Sequence, residues 1–218
     1  VRNSRRARAM EKHSKFGRNE QEHAWQNAEV NALYRLAEVG VRVPRPYGCF
    51  DGVLLMELIT DGDGHEAPRL NDVSMSKEQA LEDHSVMMHY VTRMLHAGMI
   101  HGDLSEFNVL VDEYGPVIID LPQVVDAAAN NNAKRFLQRD VNKITAYYAI
   151  YAPELLESHY AEEIWALYEA GDLNPEVELT GQFEESELTV DVDVVLQEIK
   201  AAMLEEQERQ ERLREAAQ

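Results

Sequence analysis

MIHGDLSEFNVLVDEYGPVIIDL, residues 99–121, is the stretch that decides how the rest of this sequence is interpreted. Its apolar residues predict two short strands joined by a turn. Among the polar residues of this stretch, four are singled out by their positions: His101, Asp103, Asn108 and Asp120. Their presence in a largely apolar stretch raises the question of what they do there.

The two ends of an antiparallel hairpin lie side by side. Asn108 stands at the start of the first strand and Asp120 at the end of the second, so we expect them to be neighbours, with Asp103 just before them. Carboxylate and amide oxygens of this kind hold Mg²⁺, which proteins use chiefly to bridge phosphate oxygens. A further carboxylate can orient or deprotonate a hydroxyl nucleophile. The pattern therefore predicts phosphoryl transfer.

A structural interpretation competes for each residue taken singly. His101 and Asp103 can form a buried hydrogen-bonded turn, and Asn108 and Asp120 can cap strand ends. A bare H-x-D also occurs in the metal sites of hydrolases. The complete pattern, H-x-D-x₄-N followed by an apolar hairpin that ends in Asp, is much more specific and favours the catalytic interpretation.

The composition excludes several classes of protein. The chain has 218 residues, 44% of them hydrophobic, and contains no run near the roughly 20 apolar residues of a membrane span. The single cysteine, Cys49, excludes a disulfide framework, and without a secretory signal pattern we expect a cytoplasmic protein. The net charge of -19 argues against direct DNA binding. Residues 1–18 are nevertheless basic, as a solvated arm or a nucleic-acid patch would be.

Helices and further strands are predicted around the hairpin. Two extended runs, residues 41–50 and 52–59, suggest neighbouring strands of a small sheet. Helical spacing of apolar residues, with a capping box at Ser76 and Gln79, predicts helices over residues 21–40, 76–98, 130–150 and 152–170. The charged tail, residues 181–218, predicts a helix that either projects into solvent or binds a partner.

HGDLSEFNVL followed by VIIDLPQ resembles the RIO family of atypical protein kinases. That family has a catalytic loop of the form H-x-D-L-S-E-x-N and a later metal-binding Asp without the usual D-F-G. The pair Ser105 and Glu106 distinguishes it from small-molecule kinases of the aminoglycoside phosphotransferase type, which share H-G-D-L. The resemblance extends from about Trp25 to about Tyr151 and includes FLQRDVNKI. It implies an α+β, protein-kinase-like fold with two lobes.

The resemblance also implies the catalytic roles. Asp103 matches the catalytic aspartate, and Asn108 and Asp120 match the ligands of Mg²⁺, with Mn²⁺ as an alternative ion. The family further implies a second activity, ATP hydrolysis through a phosphorylated Asp120. In archaea and eukaryotes the family is linked to maturation of the small ribosomal subunit, so a ribosome-related partner is a further expectation.

Four matched residues concern ATP. Glu29 matches the helix glutamate that pairs with the ATP-binding lysine; without the resemblance it is an ordinary solvated charge. Met56 matches the gatekeeper; it can also be an ordinary core residue, and the two interpretations are compatible. The hinge then runs from Glu57 to Ile59, with the Glu57 carbonyl and the Ile59 amide facing adenine.

One departure from the family matters. A kinase of this class requires a glycine-rich phosphate loop and a strand lysine before the glutamate-bearing helix, and neither is found here. We therefore expect a basic flexible arm over 1–24, an incomplete N-terminal lobe over 25–59, a mainly helical C-terminal lobe over 60–180 and a charged helix over 181–218. On this interpretation the chain as given is a truncated kinase domain with little activity.

Three functions from different classes remain open. The first is a RIO-type serine/threonine kinase or ATPase that acts on a protein. The second is a small-molecule phosphotransferase of the aminoglycoside or choline kinase type. The third is a non-catalytic module that binds a ribosomal or protein partner through the basic arm and acidic tail, and the intact Asp, Asn and Asp triplet speaks against it.

Overall fold

A computed structural model of the chain describes residues 29–50, 53–121 and 124–183. The chain divides into two units, Val1–Gln182 and Phe183–Gln218, and every described helix and strand belongs to the first. The predicted arm over 1–24 lies outside the described residues, as does nearly all of the predicted helix over 181–218. No helix within the described ranges combines the length and the apolar character that crossing a membrane requires.

The first helix, α1, covers residues 29–38 in the described part of the chain. Ala32, Leu33 and Leu36 lie on one face of it and are buried. The chain leaves the helix at Gly40, whose φ of 77° is left-handed, a conformation that glycine adopts without a steric penalty. The predicted end of this helix is confirmed.

The second helix, α2 (Lys77–His96), begins at the predicted capping box. The Ser76 hydroxyl oxygen accepts a hydrogen bond of 3.2 Å from the Gln79 amide, which satisfies one of the amides that the first turn leaves without a helical partner. Met87 and Leu95 are fully buried. The apolar face predicted for this helix therefore forms part of the core.

Six short strands in the described residues form three antiparallel pairs. They are β1 (Pro46–Phe50) with β2 (Val53–Met56), β3 (Met99–Ile100) with β6 (Val125–Asp126), and β4 (Val109–Asp112) with β5 (Gly115–Ile118). The predicted pairing of the two extended runs and the predicted hairpin are both confirmed. The α+β prediction is therefore correct at the level of helices mixed with small antiparallel sheets.

Two more helices complete the described unit: α3 (Ala133–Tyr148) and α4 (Tyr160–Ala170). The predicted helix over 152–170 is wrong in its first half. Pro153–Glu157 forms a 3₁₀ helix, and the extended backbone of Ser158, with ψ of 152°, breaks the chain direction before α4. Gly171 ends α4 as predicted, with a φ of 77°.

One hydrophobic core joins the four helices to β3 and to the β4–β5 hairpin. Leu36, Met94, Ile118 and Tyr148 are among its fully buried side chains. The β1–β2 pair contributes little to it, because most of its large apolar side chains are exposed. The β4–β5 hairpin thus packs against the helices.

Arg42 fastens this hairpin to the segment that follows α1. Its guanidinium donates to both carboxylate oxygens of Asp112, at 2.9 and 2.6 Å, a bidentate geometry that fixes direction as well as distance. The Arg42 carbonyl also accepts a hydrogen bond of 2.9 Å from the Ile118 amide. The position of the hairpin relative to α1 is therefore well determined.

Candidate functional site

His101 connects the loop after β3 to the chain segment after β5. Its ring is buried, and its Nδ1 accepts a hydrogen bond of 3.3 Å from the Asp103 amide. The neutral ring then carries its proton on Nε2, which lies 3.1 Å from the Ile119 carbonyl oxygen and donates to it. Burial lowers the pKa of His101, which favours this neutral form. The buried turn that sequence reasoning considered for His101 is therefore present.

Asp103 sits beside this histidine with its side chain partly in solvent. Its carboxylate is 44% exposed, and Oδ1 lies 3.3 Å from the Lys143 ammonium. Its backbone carbonyl accepts a hydrogen bond of 2.9 Å from the Asn108 side-chain amide. Asp103 is thus accessible to a second molecule, which distinguishes it from the buried His101.

Asn108 and Asp120 meet where the two strands of the hairpin end. The Ile119 amide donates to the Asn108 carbonyl at 3.0 Å, and Asp120 follows directly. Asp120 is exposed and has a φ of 62°. Among the described residues other than glycine, it is the only one with a positive φ. A left-handed backbone at a residue with a β-carbon is uncommon and often accompanies function. The structure therefore brings Asp103, Asn108 and Asp120 to the same end of the hairpin.

Asp140 of helix α3 stabilises the loop that carries Asp103. The buried Asp140 carboxylate accepts hydrogen bonds from the Gly102 amide at 2.7 Å and from the Leu104 amide at 3.2 Å. Burial raises the pKa of Asp140 to about 6, and the two amide donors oppose this increase. On the same helix, the Arg139 guanidinium donates to the Gly102 carbonyl. The backbone on both sides of Asp103 is fixed by one helix.

Sequence reasoning missed these α3 residues. The segment FLQRDVNKI was connected to a family helix, but Asp140 was not identified as a residue that supports the loop. The available signal was the spacing of Leu137, Val141 and Ile144. Asp140 occupies a position of that apolar stripe and is therefore directed inward, where a carboxylate requires hydrogen-bond donors.

Glu29 lies on α1 and is half-buried. Burial raises the pKa of its carboxyl, and the negative charge of Asp120 raises it further. The electrostatic influence of Asp120 means that α1 approaches the site. No described residue forms an ion pair with Glu29, so its predicted lysine partner is not found in the described ranges. The pairing of Glu29 with an ATP-binding lysine stays a prediction.

The segment predicted as the hinge, Glu57 to Ile59, follows β2 and is not helical. The Glu57 amide donates to the Arg45 carbonyl at 2.8 Å, and the Ile59 carbonyl accepts from the Ala67 amide at 2.9 Å. Ile59 is buried in a small cluster that includes Val117 of the hairpin. The hinge segment therefore packs on the hairpin that carries the site.

Met56 precedes this segment at the end of β2. Its side chain is 39% exposed, so the interpretation of Met56 as a core residue is wrong. The β1–β2 pair has no described layer over its outer apolar side chains, which explains why a large hydrophobic residue remains accessible here.

The donor set at the hairpin end suits a cation that also binds phosphate. The described residues contain no group of three or more His, Cys, Asp or Glu side chains able to hold a metal. Asn108 and Asp120 can supply two oxygen ligands, and Mg²⁺ commonly takes only one or two protein ligands and completes its shell with water and phosphate oxygens. The arrangement thus fits an ion bound together with a nucleotide rather than a permanent structural metal.

The chain is similar in sequence to a known protein family and to several known proteins. The RIO domain family matches residues 1–161. The chain is 37% identical over 125 residues to the RIO-type serine/threonine-protein kinase Rio1 of Haloferax volcanii. This match covers 57% of this chain and 42% of the relative. It is 38% identical over 114 residues to the RIO-type serine/threonine-protein kinase Rio2 of Methanocaldococcus jannaschii, and this match covers 51% of this chain and 40% of the relative.

A human relative, serine/threonine-protein kinase RIO1, is 33% identical over 125 residues, covering 57% of this chain and 22% of its own length. The chain therefore spans less than half the length of each of these three relatives.

Proposed function

This chain belongs to the RIO domain family, and from that premise we propose that it acts as a serine/threonine protein kinase that transfers the γ-phosphoryl group of ATP. The observation that carries the proposal is the grouping of Asp103, Asn108 and Asp120 at one end of the β4–β5 hairpin. Phosphoryl transfer asks a protein chiefly for positioning and charge stabilisation, and two carboxylates with an amide can provide both.

Asp103 is the proposed catalytic base. In the transfer step the hydroxyl oxygen of the acceptor forms a bond to the γ-phosphorus, while the bond from that phosphorus to the β,γ-bridging oxygen breaks and its electron pair leaves with ADP. The hydroxyl proton passes to Asp103. The half-exposed carboxylate supports this role, because an acceptor can reach it.

Asn108 and Asp120 are the proposed ligands of Mg²⁺, or of Mn²⁺ in its place. The Asn108 amide nitrogen donates to the Asp103 carbonyl, so its side-chain oxygen remains available as a ligand. Asp120 offers an exposed carboxylate next to it. When bound, the ion neutralises negative charge on the nucleotide phosphates.

The adenine base is proposed to bind at the hinge. The Glu57 carbonyl and the Ile59 amide have no hydrogen-bond partner among the described residues, while the other hydrogen-bonding backbone group of each is occupied. The exposed Met56 would be the gatekeeper, and Glu29 would pair with an ATP-binding lysine. The lobe boundaries proposed with this role are those predicted from the sequence, residues 25–59 for an N-terminal lobe and residues 60–180 for a C-terminal lobe.

The acceptor class is proposed from the names of the relatives, which are serine/threonine-protein kinases. Transfer to water through a phosphorylated Asp120 would make the protein an ATPase. A small-molecule acceptor would give a phosphotransferase of another class, and no transfer at all would leave a binding module that engages a protein or ribosome-related partner. Product analysis separates these outcomes.

The deciding experiment uses the protein expressed from its complete gene, incubated with ATP labelled in the γ-phosphate and with a mixture of candidate proteins. Labelled protein is the expected product, and Asp103→Asn should lower the rate about 10²- to 10⁴-fold, because a general base contributes that much. Asp63→Asn, which removes an exposed carboxylate that has no proposed role in the site, should leave the rate unchanged. Wild-type turnover in Asp103→Asn would refute the assignment.

A further inference from the structure

Lys143 of α3 forms an ion pair with the proposed catalytic base. Its Nζ is 3.3 Å from Oδ1 of Asp103, and both side chains are 44% exposed. Of the ion pairs in the described ranges, it is the one that involves Asp103, Asp120 or Glu29. It is also a residue to which the sequence analysis gave no role.

Structural support of the loop does not explain this lysine. Asp140 and Arg139 already hold the backbone of residues 102 and 104. An ion pair between two half-exposed side chains contributes little to stability, since water screens the attraction and both side chains lose conformational freedom. The role of Lys143 therefore lies with the groups that its positive charge can contact near Asp103.

The contact leaves the catalytic carboxylate free to work. Lys143 approaches Oδ1, whereas Oδ2 of Asp103 accepts no hydrogen bond from the described residues. A hydroxyl bound to Oδ2 would lie across the same carboxylate from Lys143, with its oxygen roughly 4–8 Å from the lysine nitrogen. Rotation of the flexible lysine side chain covers the remaining distance to a phosphoryl oxygen.

The charge of this region makes a cation valuable there. Asp103, Asp120 and Glu29 are all acidic, and the chain as a whole carries a net charge of -19. An incoming nucleotide adds further negative charge, which grows around the leaving and attacking oxygens as transfer proceeds. A positive charge held at that point stabilises the transition state more than the ground state.

We propose that Lys143 is a further catalytic residue, which moves from Oδ1 of Asp103 to an oxygen of the transferring γ-phosphoryl group. The inference rests on the proposed kinase function. The hydroxyl proton still passes to Asp103, and the lysine remains protonated throughout, so that it supplies charge and hydrogen bonds and exchanges no proton.

The test compares Lys143→Met, Lys143→Arg and Lys134→Met in the protein expressed from its complete gene. Lys134 is exposed on the same helix, nine residues from Lys143, and its replacement removes the same charge about 13 Å away along the helix axis. Lys143→Met should lower kcat about 10- to 100-fold with less than a twofold change in KM for ATP. Lys143→Arg should recover part of the loss, and Lys134→Met should match the wild type.

A second measurement uses binding alone. ADP with aluminium fluoride imitates the transferring phosphoryl group, so Lys143→Met should weaken its binding about tenfold or more while ADP binding changes less than twofold. Unchanged or increased kcat in Lys143→Met, or equal weakening of both ligands, would overturn the role of Lys143. If Asp103→Asn is inactive in the same assays, the proposed function survives that result; an inactive wild type would refute the proposed function and this inference with it.

Discussion

Asp120 combines a strained backbone with a carboxylate that has a proposed metal-binding role. Its φ of 62° lies in the left-handed region, which asparagine and aspartate tolerate better than most residues. Asp120→Asn therefore removes the charge while keeping a side chain suited to the backbone. This makes it a cleaner test of the ligand role than a change to alanine.

Asp120→Asn should weaken Mg²⁺-dependent binding of ATP roughly tenfold or more, and Asn108→Ala should weaken it less, because the first change removes an anionic ligand and the second a neutral one. Isothermal titration with ATP, in the presence of Mg²⁺ and then of a chelator, separates the metal-dependent part. An equal loss with and without Mg²⁺, or no loss in either variant, would contradict the ligand assignment.

We expect the ionised Glu29 carboxylate to lower the free energy of unfolding at neutral pH. Burial and the charge of Asp120 raise the pKa of Glu29, so ionisation is less favourable in the folded chain than in the unfolded chain. This cost is present above the folded pKa and disappears as the pH falls below the ordinary value of 4.5.

Glu29→Gln should consequently raise the melting temperature at pH 7, with a smaller gain at pH 4, and should weaken binding of Mg-ATP. Thermal unfolding at both pH values, beside titration with the nucleotide, checks the two parts. Glu38→Gln is the matched control, because Glu38 is exposed on the same helix. A lower melting temperature in Glu29→Gln at pH 7 would show that this carboxylate stabilises the fold.

At the level of elements, α3 is the support of the catalytic loop. Asp140→Asn keeps the shape of the side chain, but its amide oxygen can accept from only one of the Gly102 and Leu104 amides, and its NH₂ group then faces the other donor. We expect a loss of about 1–3 kcal/mol in the free energy of unfolding, together with reduced phosphoryl transfer.

Urea unfolding and the transfer assay on the same preparations measure these two effects. Arg135→Ala, an exposed change on the same helix, serves as the control and should leave both quantities close to the wild type. Wild-type activity in Asp140→Asn would mean that the loop keeps its geometry without the carboxylate.

At the level of the whole molecule, a buried histidine makes the free energy of unfolding depend on pH. His84 is fully buried, lies 2.9 Å from the Thr145 hydroxyl and packs against the rings of Tyr148 and Tyr160. Burial lowers the pKa of His84 to about 4. Between that value and the ordinary 6.5 the unfolded chain binds the proton and the folded chain does not, so the free energy of unfolding falls as the pH falls through this range.

His84→Phe should remove up to about 3 kcal/mol of the change in unfolding free energy between pH 6.5 and pH 4, since each pKa unit corresponds to 1.36 kcal/mol. Asp140 acts in the opposite direction below pH 6, because its pKa is raised, so variants must be compared with each other rather than with a theoretical curve. His89→Phe, in a less buried position on α2, is the control. Parallel pH curves for the wild type and His84→Phe would contradict the prediction.

The sequence by itself determined the features that depend on neighbouring residues. The cap of α2 at Ser76, the ends of α1 and α4 at Gly40 and Gly171, and the β4–β5 hairpin all follow from short-range hydrogen bonds and from the backbone freedom of glycine. Because a hairpin has fixed geometry, the closeness of Asn108 and Asp120 could be predicted as well. The extra turn at Pro153 was missed, since the apolar spacing continues through it.

Only the tertiary structure decided which distant groups reach the site. Asp140 and Lys143 contact residues 102 to 104 from a helix more than thirty positions later, and Glu29 comes under the influence of Asp120 from α1. The left-handed backbone of Asp120 and the exposure of Met56 were equally absent from the pattern. The physical reason is that such contacts depend on how α1 and α3 pack on the common core, and a one-dimensional spacing of apolar residues fixes which face of a helix is buried but not which distant residue it meets.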